Sequence, residues 1–288
     1  MKSNSVLIVG CGDLGSRCGL LLQSAGWRVT GVRRHPSRLP AGFAGHAADY
    51  TRRGSLAFIE TLRPDYVLAT FNPSQRSVAG YRAGFTTAMA NLLAGLGDHV
   101  PRQIIAVSST RVFAEREGGW VDESSALTTD DARATAMLEA ERRLLSSPAR
   151  ASVVRFAGIY GAPGGRLLSR VLRGEMSPPG PLRYSNRIHR DDCAGFLVHL
   201  LQLADRSETL SPVYIGVDNE PAPQSEVERW LAARLGVQDS RTRQPPATHG
   251  TSGHKRCSNA LLRASGYRLQ YADYRSGYSA IISPDPGH

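Results

Sequence analysis

The 288-residue sequence contains almost no lysine. Its two lysines, Lys2 and Lys255, lie far apart, and no tyrosine occurs between Tyr81 and Tyr160. A long internal stretch therefore offers neither an ammonium group nor a phenol. Any reaction that needs a tyrosine and a lysine together in this stretch is excluded.

Cysteine is scarce as well, and long apolar runs are absent. The four cysteines are too few and too dispersed for a disulfide framework, and no cysteine–histidine spacing suits a metal ion. No stretch approaches the roughly 18 consecutive apolar residues that a membrane-spanning helix needs. We expect a cytoplasmic protein with reduced thiols, without a metal site and without a membrane partner.

Positive charge dominates the composition. The formal net charge is +10, and the two lysines among 35 basic residues leave 33 arginines. The arginines are spread over most of the chain, with no long basic run and no aromatic-rich basic stretch. We therefore expect no nucleic-acid partner. An anionic small-molecule substrate is the better match for some of these guanidinium groups.

Strand-like apolar runs alternate with helical periodicity along the first half of the chain. The first run covers residues 5–9, and similar units recur as far as a strand at 152–156. This alternation predicts an α/β fold with a doubly wound parallel sheet. Two long helices are predicted over 77–96 and 131–145, the second capped by Thr129 or Asp130. Residues 238–253 are predicted to form a polar insertion or lid.

Three glycines follow the first predicted strand, in the pattern Gly10-x-Gly12-x-x-Gly15. Gly10 allows a tight turn, Gly12 lets a pyrophosphate approach the backbone, and Gly15 lets the next helix pack on the strand. The N–H groups at the start of that helix, which includes Asp13 and Leu14, would face the phosphates. The alternative is a glycine-rich turn that binds no ligand.

The position of this loop, between a strand and a helix, is typical of the Rossmann fold. We expect residues 1–160 to form a dinucleotide-binding domain, to which residues 186–217 return. The remaining segments, 161–185 and 218–288, are predicted to form a small C-terminal substrate lobe.

Arg33 and Arg34 follow the second predicted strand, where an acidic residue would favour NAD. Two guanidinium groups suit a 2′-phosphate, so we predict NADP as the cofactor, with NAD still allowed. Asp49 is expected beside the adenine, or else in a surface turn. Thr70 and Asn72, after the fourth strand, are expected along the middle of the cofactor.

Ser108 and Ser109 end the fifth predicted strand. The carboxyl ends of central strands are where a substrate meets the nicotinamide in such folds. We therefore predict Ser108 in cofactor binding and Ser109 in catalysis. Simple capping of a strand end is the alternative for both hydroxyl groups.

These segments, in this order, resemble the extended and atypical short-chain dehydrogenase/reductase superfamily, in its NAD-dependent epimerase/dehydratase branch. The resemblance covers nearly the whole chain. Residues 108–113 (Ser-Ser-Thr-Arg-Val-Phe) are similar to the family's Ser-Ser-x-x-Val-Tyr-Gly segment, which implies that Ser109 is the catalytic serine. Residues 155–161 and 187–192 look like the segments that border the nicotinamide and shape the substrate site.

The chain departs from this family in the helix predicted at 131–145. Family members carry Tyr-x-x-x-Lys there, commonly with a glutamate four residues after the lysine. If Glu141 is that glutamate, Arg133 replaces the tyrosine and Met137 replaces the lysine. Arginine stays protonated and methionine donates no hydrogen bond, so the usual acid/base pair is missing.

Other polar residues fall in segments that the resemblance places near a substrate. Tyr160 and His189 are candidates for substrate binding and proton donation, although a histidine that fixes a turn is an equally physical role. Arg111 and Arg187 are candidates for clamping a carboxylate or phosphate.

The resemblance implies an atypical NAD(P)-binding reductase or epimerase-like oxidoreductase that acts on a small anionic substrate. The alternative is a non-catalytic protein that senses NADP or uses it structurally, because both members of the acid/base pair are lost. The resemblance also allows a homodimer through the two long helices, which is common among relatives, but charged residues on the second helix argue against it, so the sequence leaves the assembly open.

Overall fold

The computed structural model describes residues 3–237, 241–242 and 254–282. Most of the predicted insertion at 238–253 lies outside these described residues. In the described part, helices flank a seven-stranded parallel sheet, which confirms the predicted doubly wound α/β fold.

The strands are short and follow the apolar runs of the sequence. They are β1 (Ser5–Val9), β2 (Arg28–Arg33), β3 (Ala44–Ala47), β4 (Tyr66–Ala69), β5 (Gln103–Ser109), β6 (Trp120–Val121), β7 (Ala151–Phe156), β8 (Gly158–Tyr160), β9 (Glu175–Met176), β10 (Tyr184–Ser185), β11 (Arg187–His189), β12 (Val213–Gly216), β13 (Ala222–Pro223), β14 (Arg241–Thr242) and β15 (Arg256–Cys257). The large sheet has the order β12-β7-β5-β4-β1-β2-β3. Its sequence order reverses between β1 and β4, where ligands bind in folds of this kind.

The helices cover much of the remaining chain. They are α1 (Asp13–Ser24), α2 (Phe58–Leu62), α3 (Val78–Tyr81), α4 (Ala88–Gly95), α5 (Ala132–Leu145), α6 (Arg166–Leu172), α7 (Arg190–Asp205), α8 (Gln224–Leu235), α9 (Ala260–Ala264) and α10 (Tyr274–Ile282). All residues of β4 are buried, as expected for a central strand covered on both faces.

The helix predicted over 77–96 is not one regular α-helix. A π-helical segment, Arg82–Thr87, separates α3 from α4. It contains Gly84, where a Cβ atom would lie 2.8 Å from the Cα atom of Pro73. Close packing on the neighbouring loop therefore accompanies the widened turn, and the hydrophobic periodicity alone did not reveal it.

The predicted cap of α5 was wrong. Asp131 is the capping residue, and its Oδ1 atom accepts hydrogen bonds from the backbone N–H groups of Arg133 and Ala134 at 3.0 and 3.3 Å. Asp130 does not serve because its carboxylate accepts a hydrogen bond from the hydroxyl of Thr128. The helix therefore begins one or two residues later than either predicted cap implies.

The chain divides into two compact units. The first consists of residues 1–112, 128–155 and 194–214, and the second of residues 113–127, 156–193 and 215–288. The short strands explain where these bounds differ from the predicted ones. Strand β8 pairs with β11, and β6 pairs with β15, so both belong to the second unit rather than to the large sheet.

A buried ionic network joins three elements of the first unit. Arg155 on β7 donates to Glu141 on α5, with Nη2–Oε2 and Nε–Oε2 distances of 2.7 and 3.2 Å. The hydroxyl of Ser108, on β5, donates to Oε1 of the same carboxylate. Both charged side chains are about 5% exposed, so each charge is stabilised by its partner and not by water.

We expect Glu141→Ala to lower the free energy of unfolding by about 3 to 5 kcal/mol, because it leaves the buried Arg155 without its carboxylate partner. Urea unfolding measures this loss. Glu139→Ala is the matched control on the exposed face of the same helix, where Glu139 accepts a hydrogen bond from Thr86 at 3.2 Å. The control should cost less than about 1 kcal/mol. Equal losses for the two variants would contradict the role given to the network.

Candidate functional site

The glycine loop between β1 and α1 is held in place by Thr70. Gly10 has a φ of +86°, and a Cβ atom there would lie 2.7 Å from the carbonyl oxygen of Thr70. The Thr70 hydroxyl donates a 2.9 Å hydrogen bond to the Gly10 carbonyl oxygen. At Gly15 a Cβ atom would lie 2.9 Å from Cγ2 of Ile8. Residues with side chains would therefore displace the loop from both strands.

Gly12 differs from the other two glycines of the loop. It stands immediately before α1, and a Cβ atom there would meet only the Gly10 carbonyl oxygen, at 3.7 Å. The space in front of Gly12 is therefore open on the protein side. Asp13 turns its carboxylate along the helix surface to Arg17, at 3.3 Å, and Leu14 is half-buried. An open glycine before a 12-residue helix fits a dinucleotide pyrophosphate.

Arg33 ends β2, and Arg34 follows it in a different environment. Arg33 is half-buried, and its Nη1 atom donates to the carbonyl oxygen of Arg38 at 3.1 Å. Arg34 is exposed and makes no hydrogen bond or ion pair with the described residues, so its guanidinium group is the more available of the two. Hydrogen bonding by the Thr51 side chain, helped by the charges of Arg34 and Arg52, holds the pKa of Asp49 below its usual value.

Asp49 therefore lies in a local turn, where its Oδ1 atom accepts from the Thr51 hydroxyl at 2.7 Å. Beside it, the Tyr50 hydroxyl donates to the Asn72 carbonyl oxygen at 3.0 Å. Asn91 donates in turn to the Tyr50 carbonyl oxygen at 2.9 Å. The bracing role of Tyr50 was not predicted. These bonds fix the backbone of the two loops that follow β3 and β4.

The two serines at the end of β5 have different partners. Ser108 is buried and bonded to Glu141, so its hydroxyl already has a structural partner, and its role in cofactor binding stays a prediction. Ser109 is half-buried, and its Oγ atom accepts a 3.2 Å hydrogen bond from the backbone N–H of Arg111. Because that bond uses only an oxygen lone pair, the hydroxyl hydrogen of Ser109 can be donated elsewhere.

Arg111 forms an ion pair with Asp131, with 2.6 Å between Nη2 and Oδ2. Burial acts to raise the pKa of Asp131, but the hydrogen bond and charge of Arg111, with two backbone N–H groups, lower it overall. Nε of Arg133 lies 4.0 Å from Oδ1 of the same carboxylate. Met137, one turn along α5, is 2% exposed and belongs to the apolar core. The chain therefore has a cation and a core methionine at these two helix positions.

In the second unit, Tyr160 and His189 are packed against other rings. Tyr160 stacks on Tyr278 with 4.4 Å between ring centroids, and its hydroxyl donates to the Asp273 carbonyl oxygen at 3.4 Å. Burial, followed by the charge of Asp218, raises the pKa of Tyr160 strongly, which makes it a poorer acid. Nδ1 of the buried His189 accepts from the Asp191 backbone N–H at 3.3 Å, as expected for a histidine that fixes a turn.

Asp192, in the same segment, has a structural role that was not predicted. Its carboxylate accepts from the Tyr267 hydroxyl and from the backbone N–H groups of Gln270 and Tyr271, at 3.2, 2.6 and 2.9 Å. The acid is buried and anchors the segment that leads to α10. Pairs of aspartates after a strand suggest such anchoring, but their partners, some 75 residues away in the chain, could not be read from the sequence.

Arg187 and Asp218 are buried in the second unit at 4% and 1% exposure. Arg187 donates from Nη2 to the Ser185 hydroxyl at 2.5 Å and lies over the Tyr274 ring. Asp218 accepts from the Glu220 backbone N–H at 3.1 Å. Burial raises the pKa of Asp218 to about 7, although the nearby charge of Arg187 opposes this. Arg187 is thus held internally, and a role for it in substrate binding stays a prediction.

The described residues offer neither a metal centre nor a membrane-crossing helix. Within these ranges, no group of three or more His, Cys, Asp or Glu side chains could hold a metal ion. Among the described helices, none is both long enough and apolar enough to cross a membrane. All four cysteines lie in the described part, are buried and form no disulfide.

Comparison with known proteins gives matches to solved structures. No family model matches the sequence, and no curated protein matches it. A protein from Methylobacillus flagellatus is 36% identical, with a TM-score of 0.81 and 98% of each chain covered. Its name describes it provisionally as an NAD-dependent epimerase/dehydratase. A conserved protein of unknown function from Silicibacter pomeroyi is 27% identical, with a TM-score of 0.71, over 97% of this chain and 98% of that one.

A more distant match supports the fold alone. The UDP-glucose 4-epimerase of Thermotoga maritima is 16% identical, with a TM-score of 0.80, over 96% of this chain and 97% of that one. The match that is 36% identical over 98% of each chain confirms the family resemblance.

The raised pKa of Asp218 predicts a pH-dependent stability. The native carboxyl keeps its proton up to pH about 7, whereas the unfolded one loses it near pH 4. The contribution of this carboxyl to the free energy of unfolding is therefore fully present below pH about 4 and is lost as the pH rises to about 7. Urea unfolding should show Asp218→Asn gaining about 2 to 3 kcal/mol relative to the unmodified protein between pH 5 and 8.

Asp122→Asn is the matched control for this pH series. Asp122 is an exposed acid whose pKa is lowered by hydrogen bonds from the Ser124 and Ser125 side chains, so it titrates below this pH range. Its replacement should leave the slope between pH 5 and 8 unchanged. A slope that is the same in Asp218→Asn as in the unmodified protein would assign the buried carboxyl an ordinary pKa.

Proposed function

Because the chain belongs to the NAD-dependent epimerase/dehydratase family of the extended short-chain dehydrogenase/reductase superfamily, we propose that it is an NADP-dependent oxidoreductase of a small anionic substrate. The observation that carries the proposal is the group of residues at the carboxyl ends of β1, β4 and β5. The open Gly12, the loop-bracing Thr70 and the half-buried Ser109 all belong to the first unit. They lie where open α/β sheets bind ligands.

The residues of this edge fit a dinucleotide in two places. Gly12 and the start of α1 would hold the pyrophosphate, and Arg34 would provide a guanidinium group for the 2′-phosphate of NADP. Thr70 keeps the loop against β4 through its bond to the Gly10 carbonyl oxygen. When bound, the nicotinamide supplies or accepts a hydride.

Ser109 polarises the substrate carbonyl in this proposal. Its Oγ atom accepts from the Arg111 N–H, so the hydroxyl hydrogen is donated to the substrate oxygen. The proton that a reduced oxygen takes up comes from solvent, because Arg133 and Met137 stand where the family carries its acid/base pair. Such a reaction is slower than one with a tyrosine acid, but it needs no residue that the chain lacks.

A non-catalytic NADP sensor is the second candidate. The burial of Met137 in the core favours it, since the helix position that holds lysine in relatives is filled by packing. The sensor needs the glycine loop and Arg34 but has no use for the hydroxyl of Ser109. The two candidates therefore share the first test below and differ in the second.

The cofactor is tested by fluorescence titration with NADPH and NADH. We expect NADPH to bind at least about tenfold more tightly than NADH, because a charge-assisted hydrogen bond contributes about 1.5 to 3 kcal/mol. Arg34→Met should remove this preference. Arg28→Met is the matched control, because Arg28 is exposed at the opposite end of the same strand. Equal affinity for both nucleotides in the unmodified protein would assign NAD rather than NADP.

The reaction is tested with Ser109→Ala. Small keto acids and keto sugars are screened for NADPH oxidation, and the variant is assayed with the best substrate. We expect kcat to fall by about 10²- to 10³-fold, the usual loss on removing one hydrogen-bond donor to a reacting oxygen. The affinity for NADPH should stay within about twofold. If NADPH binds but no compound is reduced, the sensor is supported, and unchanged turnover in the variant removes Ser109 from the mechanism.

A further inference from the structure

Two arginines flank a single carboxylate beside Ser109. Arg111 contacts one oxygen of Asp131 at 2.6 Å, and Nε of Arg133 lies 4.0 Å from the other. The second oxygen also accepts the backbone N–H groups of Arg133 and Ala134. Asp131, whose side chain is 15% exposed, therefore accepts two backbone N–H groups and one guanidinium N–H.

The guanidinium groups keep donors that the protein does not use. Nε of Arg111 is buried and has no protein partner. Arg133 donates from Nη1 to the Arg76 carbonyl oxygen at 3.3 Å, and its guanidinium carbon lies 6.0 Å from the Tyr81 ring centre. Its Nη2 atom has no partner among the described residues, and its side chain is 38% exposed. Arg133 is therefore held in place by the protein and still has a donor that a ligand can reach.

The charges of this cluster do not cancel. Arg111 and Arg133 together exceed Asp131 by one positive charge. The N-terminus of the 14-residue helix α5 adds partial positive charge. A single excess positive charge, partly shielded from water, favours a monoanion over a dianion.

We propose that Arg111, Asp131 and Arg133 form a carboxylate-binding site. The planar edge of a guanidinium group matches a carboxylate, and Arg133 is the specificity-determining member because its donors remain accessible. The backbone N–H of Arg111 donates to Oγ of Ser109, so the site includes a residue two positions after Ser109, just beyond the end of β5. Resting on the proposed function, this shared strand end leads us to a 2-oxo acid as the substrate, in which carboxylate and carbonyl are neighbours.

The site is tested by binding alone, on the full chain without nucleotide. Pyruvate is the probe, and its neutral ester methyl pyruvate and inorganic phosphate are the comparison ligands, titrated by ligand-observed NMR. We expect pyruvate to bind at least about tenfold more tightly than methyl pyruvate, as for the loss of one charge-assisted pair. Phosphate should bind more weakly than pyruvate.

Two variants should act in opposite directions. Arg133→Met should weaken pyruvate binding about tenfold, whereas Arg143→Met, in the exposed last turn of the same helix, should change it by less than about twofold. Asp131→Asn keeps an oxygen that can cap the helix but removes the competing negative charge, so it should strengthen pyruvate binding. Unchanged circular dichroism confirms that each variant folds.

Three outcomes would overturn the assignment. Equal binding of pyruvate and methyl pyruvate would show that the site does not recognise charge. Equal effects of Arg133→Met and Arg143→Met would show that binding responds only to the net charge of the protein. Tighter binding of phosphate than of pyruvate excludes a carboxylate site. A failure of the proposed function is seen separately, as absent NADPH binding in a protein that still binds pyruvate.

Discussion

The close approach of Gly10 to Thr70 is the constraint on which the ligand-binding edge depends. The loop carbonyl and the threonine hydroxyl are joined at 2.9 Å, and a side chain at Gly10 would collide with the Thr70 backbone. The same threonine limits Gly15, so the residue that follows β4 contacts both ends of the loop. These contacts hold the glycine loop at the switch point between β1 and β4.

Features that depend on neighbours along the chain were predictable from the sequence. The apolar run of β1 followed by spaced glycines indicated a strand, a turn and a helix, and the ends of α8 follow from its periodicity and from Gly236, which has a φ of +66°. Features that depend on a distant partner were not predictable. The Thr128 hydroxyl donates to the carboxylate of Asp130, and Asp131 caps the helix instead. The partner of Ser108 is on α5, 33 residues away, and hydroxyl chemistry alone cannot reveal it.

In the helix that usually carries the tyrosine and lysine, the residues that replace them here make contacts of their own. Met137 is 2% exposed within an apolar cluster, so a lysine in its place would carry a charge into the core. Arg133 is held by a backbone carbonyl group and lies over an aromatic ring. Both replacements make favourable contacts of their own. A helix repacked in this way indicates a site with altered chemistry or altered ligand preference, since simple loss of function would not require an anchored cation.

The preference for arginine over lysine has structural consequences for the charge of +10. Guanidinium groups lie over aromatic rings at Tyr66, Tyr274 and Trp120, and lysine could not reproduce that planar stacking with its hydrogen bonds. The buried Arg155 and Arg187 are likewise committed to internal partners. These guanidinium groups therefore serve the fold. Arg34 and Arg133, which keep unused donors, both belong to the unit that carries the glycine loop, so each can hold a small anion in the same unit as that loop.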